Sequence, residues 1–104
     1  MTDLEDKEKI GFLKRLYQKL LELKKIAEES LQKFINNEEL NKINEELSKY
    51  YILVFGKKYT DEQSILYDRA RNHFLWATSI DLNKELREHY LREGDKLFKK
   101  IKRP

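Results

Sequence analysis

Residues 61–93 read DEQSILYDRARNHFLWATSIDLNKELREHYLRE, thirty-three residues without a glycine or a proline. Nothing in their composition forbids one continuous helix of over thirty residues. The apolar phase decides otherwise. At 100° per residue Leu66, Ala70, Phe74 and Ala77 fall on one side, and Leu86, Tyr90, Leu97 and Ile101 fall roughly opposite on the same wheel. A straight helix would have to bury opposite faces at its two ends. The phase changes over Thr78-Ser79-Ile80-Asp81, where Thr, Ser and Asp are good N-cap residues, so a break is expected between Thr78 and Leu82.

Thr60-x-x-Gln63 has the spacing of a capping box, with Asp61 and Glu62 as first-turn acids. Upstream, Tyr50–Phe55 (YYILVF) has high β propensity. No second strand-like run exists to pair with it, and Tyr51 and Val54 continue the phase of Leu47, so it is read as helix, closed by Gly56 as the C′ residue. That second helix begins after Asn36-Asn37 with Glu38 and Glu39 in its first turn, and Leu40, Ile43 and Leu47 line one face. The first helix starts near Thr2, where Thr2 and Glu5 have capping-box spacing, and carries a seam of Leu13, Leu16, Leu20, Leu23, Ala27, Ser30/Leu31 and Phe34. In the last helix Gly94 sits within an unbroken stripe from Tyr90 to Leu97. It is read as an interior position where a small residue permits close approach, at about 1 kcal/mol relative to Ala.

The expected fold is therefore all-α: an antiparallel four-helix bundle, one domain over 1–104, with helices near 4–35, 38–55, 61–78 and 81–102 and short connections. The first helix is the long one, roughly 48 Å against about 27 Å for an eighteen-residue helix. Something has to cover its overhang, and a second subunit is one candidate.

Composition sets the class. Charged and hydrophobic residues each make up 39% of 104 residues, with three glycines and a single proline, which is the usage of a helical protein. High Lys and Glu without cysteine also resembles a thermophile's composition, and no disulfide is expected. The acidic start MTDLEDKEK does not read as a targeting peptide, and no apolar run approaches a bilayer span, so a cytoplasmic chain is expected. The net charge of +3 is unevenly placed: residues 1–48 carry nine Lys/Arg and eleven Asp/Glu, residues 49–104 thirteen and eight.

Each constellation with chemical content has a plainer reading beside it. YDRARNH, residues 67–73, sets His73 beside Arg69, as a base and a phosphate-binding cation would stand in a ribonuclease. The i,i+3 and i,i+4 spacings of Asp68, Arg71 and Asn72 fit better with a solvated ion-pair face. ELREH, residues 85–89, lacks the Glu-x-x-His spacing of a di-iron bundle because Leu86 stands three residues before His89. No glycine-rich phosphate loop and no cysteine or paired histidine site is present, so neither a metal nor another cofactor is expected, nor a small-molecule substrate, and the chain does not read as an enzyme.

The aromatics and the basic end are more informative. Tyr50, Tyr51, Phe55, Tyr59, Tyr67, Phe74, Trp76, Tyr90 and Phe98 exceed what one narrow seam needs, and of these Trp76, Tyr50, Tyr51 and Tyr59 are candidates for a protein-binding surface, since Trp and Tyr concentrate at interface hot spots. DKLFKKIKRP places Lys96, Lys99, Lys100, Lys102 and Arg103 together, a candidate footprint for nucleic-acid phosphates: Lys96, Lys99, Lys100 and Arg103 are spaced three and four apart and share one helical face, and no acid follows Asp95 to neutralise them. The expected function is that of a small non-enzymatic accessory or adaptor subunit that binds a protein, or a further copy of itself, within a nucleic-acid-processing complex. The alternative is a stand-alone, sequence-independent nucleic-acid-binding protein.

Overall fold

The computed structural model describes residues 2–33, 35–56 and 61–104, with side chains described from Lys7 onward. Four helices follow one another: α1 Thr2–Ser30, α2 Asn37–Phe55, α3 Glu62–Ala77 and α4 Lys84–Lys100. Among the described residues there is no strand, and Tyr50–Phe55 is helical throughout. α3 and α4 are separate, with the break at residues 78–83 where the apolar phase changes.

Each helix packs antiparallel to the next. Lys19 Nζ meets Glu46 Oε2 at 2.7 Å between α1 and α2, and Tyr51 Oη donates to Ser64 O at 3.3 Å between α2 and α3. The rings of Trp76 and Tyr90 stand 5.1 Å apart between α3 and α4, and Lys24 Nζ meets Asp95 Oδ1 at 3.2 Å between α4 and α1. α1 is the central element. It contributes Leu16, Leu20, Leu23, Ile26 and Ala27 to a core completed by Ile43 and Leu47, by Leu66, Tyr67, Ala70, Phe74 and Ala77, and by Phe98 and Ile101. Of the seam expected in α1, Leu16, Leu20, Leu23, Ala27 and Ser30 are buried, Leu13 and Leu31 are half-buried, and Ile26 is added to it.

The boundaries move for identifiable reasons. α1 stops at Ser30 rather than near residue 35. Arg87 Nη2 donates to Ser30 O at 2.9 Å, and the Ser30 hydroxyl donates to Ala27 O at 2.6 Å, so the last carbonyls are satisfied without another turn. Phe34, the expected end of the seam, lies outside the described residues. α3 is capped by Asp61, whose Oδ1 accepts from Gln63 N at 2.7 Å. Thr60, the expected cap, lies outside the described residues, and the Oε1 of Gln63 accepts from Lys102 N at 2.9 Å. That bond holds the chain in its extended exit from α4, which ends at Lys100 instead of near residue 102. At its other end α4 begins at Lys84 rather than near residue 81, because Asn83 is the cap, its Oδ1 accepting from Leu86 N at 2.8 Å.

Two glycines carry positional meaning. Gly56 closes α2 at φ 72° and ψ −151°, a conformation open essentially to glycine, with its N–H donating to Ile52 O. Gly94 is buried, and a Cβ there would meet Phe74 Cε1 at 2.8 Å and His73 Cβ at 3.1 Å, so its small size sets how closely α3 and α4 approach. The described chain is elongated, 50 × 25 × 21 Å. α1 has 29 residues, about 43 Å at 1.5 Å each, against 16 in α3, so its start runs past the other helices with residues 7–11 exposed.

Candidate functional site

The residues singled out for protein binding do not form one surface. Trp76 belongs to the last turn of α3, at the end of the bundle where α1 finishes and α2 and α4 begin. It is 46% exposed. Its ring rests on His73 at 5.3 Å and Tyr90 at 5.1 Å, and Leu86, one turn before Tyr90 on α4, is also exposed. The indole is therefore held in a fixed orientation while much of its face stays open. Tyr50 and Tyr51 lie at the opposite end, in the last turns of α2. Tyr50 closes the groove between α1 and α2, with Phe12 at 6.1 Å, Arg15 Nη1 donating to its hydroxyl at 3.3 Å, and Lys49 Nζ 5.5 Å from its ring centre. Tyr51 turns inward between α2 and α3, against Phe55 at 5.3 Å. Both tyrosines are half-buried and join helices. Tyr59 lies outside the described residues.

The basic end also differs from its expected form. Lys96 pairs with Glu93 at 3.6 Å and Lys99 with Asp95 at 3.2 Å, so acids one turn back neutralise two of the five cations. Because α4 ends at Lys100, Lys102 and Arg103 lie beyond it and Arg103 does not share a helical face with Lys96 and Lys99. Lys100, Lys102 and Arg103 are exposed and form no ion pair among the described residues. Burial opposes ionisation of Asp95, but the ammonium groups of Lys24 and Lys99 outweigh it and hold the carboxyl below its ordinary range.

The YDRARNH segment joins α3 to its neighbours. Asp68 Oδ1 accepts from Arg71 Nη2 at 3.1 Å, and Arg71 Nη1 donates to Ser48 Oγ at 3.1 Å, joining α3 to α2. His73 Nδ1 lies 2.7 Å from Arg69 O, so it is the protonated nitrogen and donates to that carbonyl. The ring then stacks into the Trp76–Tyr90 cluster. Among the described residues no group of three His, Asp or Glu side chains is placed to hold a metal ion. No described helix is long and apolar enough to cross a membrane.

Sequence reasoning missed the residue that organises the Trp76 end. Arg87, in the first turn of α4, donates from Nε to Ala77 O at 2.8 Å and from Nη2 to Ser30 O at 2.9 Å, joining the C-termini of α3 and α1. A cation there also complements the negative ends of both helix dipoles. Beside it opens a cleft of about 390 Å³ lined by Ser30, Lys33, Ile35, Leu40, Ile80 and Arg87. Ile80 on its rim is 80% exposed. Neither an arginine in a first turn nor an isoleucine in a connection carries a local signal of this role; only the meeting of four helix ends creates it. Comparison of the chain with family models, curated proteins and solved structures finds no match to any of them.

Proposed function

We propose that this chain is a non-enzymatic accessory module that binds a protein through the face around Trp76. The observation that supports this most is a rigidly seated, half-exposed indole, with exposed Leu86 and Ile80 at the same end of the bundle. An aromatic already fixed by His73 and Tyr90 loses little side-chain entropy on binding and offers a large apolar area, which is how interface anchors gain their energy. Capture from lysate of the native host, treated with nuclease, tests it. Wild-type bait should retain a specific protein that Trp76→Ala bait loses by ten-fold or more, an effect of about 1.4 kcal/mol or larger. Equal capture by both baits refutes the reading.

A second reading rests on Lys100, Lys102 and Arg103, cations with no acid partner among the described residues. Three such contacts predict weak binding to duplex DNA of any sequence, with a log-affinity slope against log salt of about −2.7, from ~0.9 per neutralised phosphate. Changing all three to Gln should abolish binding at low salt. Undiminished binding by that variant, or no binding by wild type, disposes of this reading.

A further inference from the structure

At the ring of Tyr50, in the groove between α1 and α2, two cations from different helices meet. The guanidinium carbon of Arg15, on α1, stands 5.9 Å from the ring centre, and Nζ of Lys49, on α2, stands 5.5 Å from it. Both side chains are exposed, and neither forms an ion pair among the described residues. Attraction to the negative face of the ring holds each of them in place. It does nothing to offset the repulsion between two like charges gathered at one ring, which an anion between them would relieve.

The groove measures about 370 Å³ and is lined by Arg15, Gln18, Lys19, Glu46, Lys49 and Tyr50. Its hydrogen-bonding capacity is one-sided. Arg15 Nη1 donates to the Tyr50 hydroxyl at 3.3 Å, and the other N–H groups of that guanidinium have no partner among the described residues. The hydroxyl accepts that bond and keeps its own proton to give. The Lys49 ammonium and the Gln18 amide likewise donate to nothing among the described residues. Glu46 is the one acid of the lining, and it is engaged: its Oε2 lies 2.7 Å from Lys19 Nζ, and the same carboxyl feels Lys42 and Lys49 at longer range. Within one helical turn of these residues on α1 and α2 the charged side chains are Lys14, Arg15, Lys19, Lys42 and Lys49 against Glu22, Glu45 and Glu46. Glu22 is bonded to Lys19 at 3.2 Å, so the excess positive charge falls on the groove's free cations.

We propose that this groove binds a phosphate monoester, its dianionic group held between Arg15 and Lys49 with the Tyr50 hydroxyl donating to a third oxygen. A set of donors requires a ligand that accepts throughout, which an oxyanion does and a metal cation does not. Two free cations on different helices match a double charge. Donors arriving from separate side chains also suit three tetrahedral oxygens better than the two coplanar ones of a carboxylate. Apart from the Tyr50 ring the lining is polar, so the group that carries the phosphate is not enclosed, and a soluble ester and a lipid headgroup present the same chemistry. The site uses neither Trp76 nor Lys100, Lys102 and Arg103, and it stands apart from both readings above.

Titration of 15N-labelled protein with glycerol phosphate at constant ionic strength tests this. The side-chain N–H of Arg15 and the backbone amides of Lys49 and Tyr50 should shift saturably, with a Kd on the order of 1 mM for so small a ligand. Arg15 and Lys49 changed together to Gln should weaken binding by about ten-fold or more, and because both positions are exposed the helices should remain intact. Tyr50→Phe should weaken it by about three-fold. Changing Lys100, Lys102 and Arg103 to Gln should leave it unaltered. Phosphatidylcholine vesicles with and without phosphatidic acid separate the two sources. Sedimentation with the phosphatidic acid vesicles alone, lost in the Arg15/Lys49 variant, assigns the phosphate to a lipid; binding of glycerol phosphate without it assigns the phosphate to a soluble ester. Neither a saturable shift nor vesicle binding by wild type overturns the proposal. So does equal affinity in the Arg15/Lys49 variant, or a set of shifts that chloride reproduces at the same ionic strength.

Discussion

At Gly94 a single methyl group decides how α3 meets α4. An added Cβ falls 2.8 Å from the ring of Phe74, which is fully buried, and 3.1 Å from His73 Cβ, which is fixed to the backbone. Replacing a mid-helix glycine by alanine ordinarily gains about 1 kcal/mol, but forcing a methyl into a packed core costs roughly 1–3 kcal/mol. Gly94→Ala should therefore lower unfolding free energy in urea by about 1 kcal/mol; a more stable variant would mean that the helices part without cost. Tyr67 gives the opposite case. Burial pushes its phenol far above the usual range, and its hydroxyl has no hydrogen-bond partner among the described residues. Removing an unsatisfied buried hydroxyl relieves a desolvation cost, so Tyr67→Phe should be as stable as wild type or up to about 1 kcal/mol more so. A loss above 1 kcal/mol would reveal a bond to water.

Asp95 adds a pH dependence of known sign. Its carboxyl is held below the ordinary range in the folded chain, so its contribution is complete above the unfolded value near pH 4 and is lost as pH falls through the folded one. The group is partly exposed, so the effect is small. Asp95→Asn should cost about 0.5–1 kcal/mol at neutral pH and flatten the acid limb of the stability profile. An acid limb as steep as that of wild type would show that Lys24 and Lys99 do not stabilise the charge.

Among the elements, the break between α3 and α4 was the most legible feature, because reversed apolar phase is carried by the sequence from Leu66 to Ile101 alone. The helical state of Tyr50–Phe55 was legible for the same reason. Helix ends were less so. Asn83 lies only two residues past Asp81, yet which of several good caps is used depends on where α4 must enter the bundle. The end of α1 at Ser30 depends on Arg87, fifty-seven residues away. That arginine is testable at the level of elements. Arg87→Met keeps the aliphatic stem and removes the bonds to Ala77 O and Ser30 O, at 2.8 and 2.9 Å. With charge-assisted bonds each worth ~1.5–3 kcal/mol, the loss should reach about 2–4 kcal/mol, and Arg87→Lys should recover part of it. Hydrogen exchange should accelerate first in the last turns of α1 and α3. Uniform acceleration along all four helices would contradict a local role.

For the whole molecule, amphipathic pattern foretold an antiparallel bundle with an overhanging first helix, and both are present. The pattern could not say which exposed aromatics share a surface. Trp76 and Tyr50 are near in composition and in sequence signal, but the up-down topology sends them to opposite poles. The basic end was likewise legible as charge and not as surface, since Glu93 and Asp95 fold back onto Lys96 and Lys99. What remains at molecular scale is one face with a seated indole, and Trp76 is the only tryptophan in the chain. Labelling with 5-fluorotryptophan therefore yields a single 19F resonance that reports on that face alone, even among unlabelled proteins. On adding excess unlabelled chain or nuclease-treated host protein, this resonance should shift or broaden and lose its solvent-isotope sensitivity. A resonance that stays narrow, unshifted and fully solvent-sensitive under both additions would contradict a protein-binding role for the Trp76 face.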